Sequence, residues 1–498
     1  MKTNINRYFI SLLFAILSIF FISAQEKALY FSLSQCIERA TEHSLQTFRA
    51  KNMYLSGYWE FQTYKAGRLP AISFQLTPIQ YNSNFVKRYN YEENIEIYRQ
   101  QQSITSTGGL SVSQNVEWTG GTFILNSDID YMKNFGETEN EQFSSTPVRL
   151  SYSQSLFGFN RFKWEKKIEP LKYEKVKQQY LYSREEISET ASRYFFLLAM
   201  AQAEYDMAVE NVASTDSLYL AGNERIRISS ISQADLLTLE LDKINAENAL
   251  ENAISQLQKN TFDFISYFNL EKDCKIHLTL PGMPDRITVS IEEALMSMKE
   301  NNPDILSYRQ QVLESEQEVE RTKKTAGFDA TFSASVGFNQ AGNNFREAYI
   351  DPSRQDMIRL GVTIPVVDWG IRKGRINMAK NNLNVIQFTV QQQEQELEQE
   401  IIETIAEFNK QQRLIVKSKE ALAMAITSYN INKQRFIVGK ADISTLTLSL
   451  NRRKDAQRNY ISALGSYWNC YYAIRKLTLY DYEKQESLSF RFDKLREK

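Results

Sequence analysis

Two periodicities alternate along this chain. From Arg375 to Val438 there is neither glycine nor proline, and apolar residues return every seventh position at Ile401, Phe408, Ile415, Leu422, Tyr429 and Phe436. A sustained seven-residue repeat predicts coiled-coil packing, and a helix of that length would reach about 96 Å at 1.5 Å per residue. Ala191, Leu198, Tyr205, Val212, Tyr219 and Ile226 stand at the same spacing in the first half. Each long segment is followed by a returning one with small residues seven apart: Ala246 and Ala253 in one, Ala456, Ala463 and Cys470 in the other. Small side chains let paired helices approach closely.

Elsewhere the period is two. Phe328, Ala330, Phe332, Ala334, Val336 and Phe338 alternate with Asp329, Thr331, Ser333, Ser335, Gly337 and Asn339. Ile358, Leu360, Val362 and Ile364 do the same, as do Ile72, Phe74 and Leu76, and Val148, Leu150 and Tyr152. Such alternation predicts strands with one apolar face. It fits a membrane barrel or a soluble antiparallel sheet equally well.

The two patterns recur in order, so the chain reads as two repeats. FSLSQCIERATEHSLQTFRAKN (31–52) resembles VSIEEALMSMKENNPDILSYRQ (289–310), VRLSYSQSLFGFN (148–160) resembles IRLGVTIPVVDWG (358–370), and RIRISSISQADL (225–236) resembles RFIVGKADISTL (435–446). Each half reads as helix, strand, strand, long helix, helix. The first half carries about 48 extra residues between Phe74 and Pro147. These include LSVSQNVEW, Thr119-Gly120-Gly121 and TFILNSDIDYM, which read as an additional hairpin over 110–132. We expect it to project as an extracellular excursion, the other option being two more strands per chain. Residues 81–107 read as a polar loop, with room for a local helix at 92–102.

Between the paired helices lie tight turns. Gly439 can adopt the left-handed conformation beyond a helix end, and Asp442 can cap the next helix; Ser229 and Ser232 hold those places in the first half. With the turns far from the strands, a rod is expected. The expected divisions are 1–24, 25–285, 286–478 and a charged surface or disordered tail at 479–498.

The N-terminus adds location. Lys2 and Arg7 precede an apolar run from Tyr8 to Ile22, followed by Ser23-Ala24-Gln25. That describes a secretory signal peptide, with the mature chain starting near Gln25. Nothing after Ile22 is long and apolar enough for a membrane helix, so an exported chain is soluble or crosses as a β-barrel. Four strands cannot close a barrel, and open edges are not tolerated in hydrocarbon. Several chains would have to share one barrel, and three would supply twelve strands.

Composition removes other classes. Lys and Arg number 59 against 60 Asp and Glu, which offers nothing to nucleic acid. Cys36, Cys274 and Cys470 are scattered, and His43 and His277 are isolated, so neither a metal site nor a disulfide framework is expected. Cys36 and Cys470 read as packing residues. No GxSxG or HExxH context surrounds either histidine, so neither catalysis nor a cofactor is expected. A structural periplasmic coiled-coil protein without a pore would share the export signal and the heptads, but not a strand pair placed alike in each half.

The arrangement resembles the TolC family of outer-membrane efflux proteins over roughly residues 31–478. SLSQCIERA and SIEEALMSM with NNPDI, GRLPAIS, IPVVDWGIRKGRINMA and RFIVGKADISTL carry the resemblance. It implies an α+β, mostly α protomer with four membrane strands. Three copies would close a 12-stranded β-barrel in the outer membrane, in contact with its lipid, continued by a periplasmic α-helical barrel. It also implies docking to a periplasmic adaptor and an inner-membrane transporter, with passive passage of cargo.

The family's entrance is narrowed by the helix turns, which maps here onto Asp235, Ser232, Asp442, Gly439, Thr445 and Phe436. Phe436, Ala441, Thr445 and Leu448 replace a Tyr, an Arg and two Asp of the family pattern. Asp235, the repeat equivalent of Thr445, is acidic. Three copies could form a ring whose members raise one another's pKa. Alternatively, Asp235 is a first-turn residue favoured by the helix dipole.

Overall fold

Side-chain caps set where the helices begin. In the computed structural model, which describes residues 28–135, 139–227, 231–271 and 274–489, Ser32 accepts from the Gln35 N–H while Gln35 Oε1 accepts from the Ser32 N–H at 2.9 Å. This capping box opens α1 (Leu33–His43), which α2 (Leu45–Ala66) follows. Ser290 Oγ accepts from the Glu293 N–H and caps α5 (Ile291–Asn301), ahead of α6 (Pro303–Thr325). The glycine-poor segments become α3 (Arg161–Arg227) and α7 (Ile371–Ile437), 67 residues each, with returning helices α4 (Gln233–Phe268) and α8 (Ile443–Thr478) of 36. The expected signal peptide and Ser229 lie outside the described residues.

The chain divides into two compact units, each drawing on both halves. The first takes in the residues up to Asn52, Tyr180–Asn302 and those from Glu398 onward. In it Ile401, Phe408, Ile415, Tyr429 and Phe436 are all buried, as the heptad requires, while Leu422 is half-buried. In α3 the seam drifts after Leu198: Tyr205, Val212, Tyr219 and Ile226 are only half-buried, and Asn211, Ser214 and Thr215 go inside instead. Of the small residues, Ala456 and Cys470 are half-buried and the rest go inside. Ala246, Ala253 and Ala463 are buried, and a Cβ on Gly465 would stand 3.1 Å from Phe196 Cβ.

Burial pushes the Cys36 thiol up to about 12 and Cys470 up to about 11, which suits packing residues. His277 lies in a short parallel strand pair, β1 (Ala28–Ser32) with β6 (Lys275–Thr279), its ring stacked on Tyr30. The start of the tail is folded, not a loose surface segment. β9 (Tyr480–Asp481) pairs with β10 (Glu486–Ser487), because buried Asp481 answers Arg475, which also binds Glu185 at 2.9 and 3.0 Å.

The second unit, Met53–Gln179 with Pro303–Leu397, holds a single antiparallel sheet. Its strands in spatial order are β2 (Ala71–Asn90), β3 (Ile95–Asn115), β4 (Thr122–Phe135), β5 (Asn140–Ser155), β7 (Asp329–Gly342) and β8 (Ser353–Thr363). Six strands, not four, is the first correction. The extra segment is no excursion: β3 and β4 lie between β2 and β5, hydrogen-bonded on both sides, whereas β7 and β8 pair directly.

The reason lies in the turn at 116–121. Asn160, which caps α3 through the Lys163 N–H, donates from Nδ2 to the Glu117 carbonyl at 2.8 Å, and Arg68 pairs with the Glu117 carboxylate. The turn is therefore pinned at the strand-to-helix junction instead of projecting beyond the sheet. Residues 81–107 are strand, not polar loop or helix, because Tyr81–Asn90 pairs residue by residue with Ile95–Ile104. Polar side chains on both faces there hid the alternation. Pro78 and Pro147 sit where the register shifts, the place a residue without an N–H is tolerated.

Candidate functional site

The residues singled out in the sequence fall in two regions of the fold: the helical turns and the face of the sheet.

At the turn between α7 and α8, Gly439 has φ +75°, and the Lys440 N–H reaches back to the Arg435 carbonyl at 2.8 Å while the Gly439 N–H reaches Phe436 at 3.0 Å. This is a Schellman closure, and only a residue at ease with positive φ completes it cheaply. Asp442 then accepts from the Thr445 N–H at 2.6 Å and starts α8. That bond holds the Asp442 carboxyl below the usual carboxylate range. At the start of α4, Ser232 Oγ accepts from the Asp235 N–H at 3.2 Å, and the Asp235 carboxylate accepts from the Ser232 N–H and Oγ at 3.0 and 2.8 Å. Asp235 is thus half of a capping box, and the Ser232 backbone bond keeps its carboxyl low.

The structure joins the two hairpins here partly through residues that the motifs did not single out. Phe436 is buried with Tyr429 and Leu446, and Leu218, Ala441 and Ile443 pack against them. Arg225, near the end of α3, lies 4.9 Å over the Phe436 ring and donates to the Phe436 and Ile437 carbonyls at 2.8 and 3.1 Å. It thereby satisfies the open carbonyl end of α7 with a cation. Farther along, Arg453 binds Glu210 with both guanidinium nitrogens, at 2.9 and 2.5 Å, and stacks on Tyr429. Thr447 donates to Asp242 at 3.1 Å, and Tyr429 meets Ser214 at 3.2 Å. A cavity of about 220 Å³ separates these contacts. In sequence, Arg225, Glu210 and Arg453 are ordinary charges beside heptad positions. Only the pairing of the hairpins gives them partners.

The sheet has the opposite character to a soluble one. Directly opposed residues share a face, so the ladder places Ile72, Val112, Leu125, Leu150 and Val336 in one row across five strands. Phe123, Tyr152, Ala334 and Ile358 form the next row. Ile72, Leu125, Leu150, Val336 and Ile358 are exposed, and none is covered by a helix or a second sheet. The reverse face carries Ser111, Asn126, Ser151, Ser335 and Arg359. An apolar outer face and a polar inner one are what a barrel wall in lipid requires. Trp118, in the β3–β4 turn, and Trp369, between β8 and α7, are almost fully exposed, as aromatic residues at a membrane boundary are. Asp368 beside Trp369 accepts from the Gly370 and Arg372 N–H groups at 3.1 and 3.0 Å, so the strand-to-helix junction is itself a built cap. Among the described residues no helix is long and apolar enough to cross a membrane.

Residues 294–478 match the family model described as "Outer membrane efflux protein". A search of curated protein sequences finds no match. Among solved structures, the CmeC outer membrane channel of Campylobacter jejuni is similar, with a TM-score of 0.63 at 13% identity over 91% of this chain and 88% of that one. So is the outer membrane protein VceC of Vibrio cholerae, with 0.62 at 12% over 90% and 95%. The MtrE outer membrane channel of Neisseria gonorrhoeae gives 0.58 at 13% over 90% and 88%. The resemblance read from the motifs is thus carried by the family match over the second half and by the fold over nine-tenths of the chain.

Proposed function

We propose that this chain, whose second half matches the outer membrane efflux protein model and whose fold is that of outer-membrane channels, is the outer-membrane channel-tunnel of a tripartite export system. Three copies share one barrel in the outer membrane. A helical tunnel in the periplasm receives cargo from an inner-membrane transporter through a periplasmic adaptor. The channel itself is passive.

The exposed apolar face, on a sheet whose outer edges at β2 and β8 meet no further strand among the described residues, carries this reading. Such a sheet is untenable alone in water, and its open edges are untenable in hydrocarbon. Closure between copies in lipid removes both problems. The periplasmic entrance is assigned to the turns holding Ser232, Asp235, Phe436, Gly439, Asp442 and Thr445, with Arg225 fastening one turn to the other. The carboxylates there act first as helix caps.

The test is the protein mass of the detergent-extracted outer-membrane species, corrected for bound detergent. A value near three mature chains, with ion conductance in a planar bilayer, is expected. A monomer recovered from the soluble periplasmic fraction would sink the channel and favour a poreless coiled-coil protein.

A further inference from the structure

We infer that the inserted hairpin β3–β4 is part of the membrane wall, so that the shared barrel has eighteen strands. The inference rests on three copies closing one barrel; its content is that each brings six membrane strands.

Position argues first. β3 and β4 occupy the middle of the first-half strands, paired to β2 on one side and β5 on the other, and cannot leave the wall without splitting it. Chemistry agrees. Val112 and Leu125 continue the apolar row between Ile72 and Leu150, while Ser111 and Asn126 continue the polar face. Height agrees as well: the β3–β4 ladder runs from Gln102 opposite Phe135 to Asn115 opposite Thr122. Fourteen such residues, tilted by about 40°, rise roughly 35 Å, more than the ~25 Å apolar band of an outer-membrane barrel. The hairpin's turn is pinned to the strand-to-helix junction through Asn160, and it carries its own exposed tryptophan, Trp118.

Closure is preserved. Six consecutively antiparallel strands leave β2 and β8 running in opposite directions, so β8 of one copy meets β2 of the next antiparallel. Barrel diameter grows roughly linearly with strand number. Eighteen strands at a given tilt therefore make a bore about half again as wide as twelve, within the range where barrels hold an open aqueous channel. The outer-membrane segment would then admit bulkier cargo than a twelve-stranded wall, leaving selection to the helical turns.

The experiment places a fluorophore at Leu125→Cys, Asn126→Cys or Leu360→Cys, with the three native cysteines replaced by alanine. The assembled protein is put in lipid vesicles and quenched either by nitroxide-labelled lipid or by aqueous iodide. Labels at 125 and 360 should be quenched several-fold more by the lipid probe than the label at 126, which iodide should reach. Lipid quenching at 360 with only iodide quenching at 125 would overturn the six-strand wall and leave the channel standing. No lipid quenching at 360 would overturn the channel itself. Should the labelled variants not assemble, a strand count from cryo-electron microscopy of the unmodified protein in nanodiscs decides the matter: eighteen supports the inference and twelve refutes it.

Discussion

Arg225 and Arg475 are both arginines packed on aromatic rings, yet they hold different things. Arg475 sits half-encircled by Tyr471 and Tyr472 and bridges Glu185 to Asp481, with all three ionic groups largely buried. Arg475→Met would leave two carboxylates without their cation, and losing one partner of a buried pair costs about 3–5 kcal/mol. Denaturant unfolding should read that loss, with the first ten tail residues becoming protease-sensitive. Arg225→Met should hardly change global stability, because it spans only the α7 end. Amide exchange from Phe436 to Leu446 should accelerate at least several-fold, and the conductance of the assembled channel should rise. Unchanged exchange there would remove Arg225 from the fastening role.

Helix starts at the junctions and turns share one device, a side chain accepting from backbone N–H groups, and the device titrates. Asp442, Asp235 and Asp368 have carboxyls held below their ordinary values by the backbone bonds from Thr445, Ser232 and Arg372 respectively. A lowered folded pKa means that the stabilisation is fully present above the unfolded value of about 3.9 and is lost as pH falls through the folded value. Acidification below about pH 4 should therefore fray the starts of α4, α7 and α8 before the buried heptads respond. Residue-resolved amide exchange would detect it. Asp442→Asn, which caps without titrating, should remove the pH dependence at α8 alone.

The whole molecule is governed by the sheet's two faces and two edges. An arginine at Val336 would enter the apolar row, at a cost of about 2–4 kcal/mol near the bilayer midplane. An arginine at the neighbouring Ser335 would face the lumen. We expect Val336→Arg to abolish the outer-membrane trimer, and Ser335→Arg to assemble with altered ion selectivity. Equal assembly of both, measured by the yield of heat-sensitive trimer from outer membranes, would reverse the assignment of faces.

These scales differ in how far the sequence alone settled them. Seven-residue spacing, the absence of glycine and proline, the capping serines and aspartates and the glycine at 439 act within one turn of helix or one peptide. The helices, their turns and the inward heptad of α7 were therefore readable as text. Period two likewise fixed which side is apolar in the strands that alternate. Strand partnership, by contrast, is a choice among distant segments. Residues 81–107 lacked clean alternation because polar side chains stand on both faces, and only pairing with one another makes them strands. The place of the inserted hairpin followed from Asn160 and Arg68 reaching the 116–121 turn, contacts across more than 40 positions. The same holds for Arg225, Arg453 and Glu210, ordinary surface charges until the hairpins meet. Sequence determined the long helices, their turns and the apolar sides of the alternating strands, because those depend on local geometry. Tertiary structure decided how many strands the sheet has and which charges fasten the turns, because hydrogen-bonded neighbours and ion partners exist only once the chain has folded.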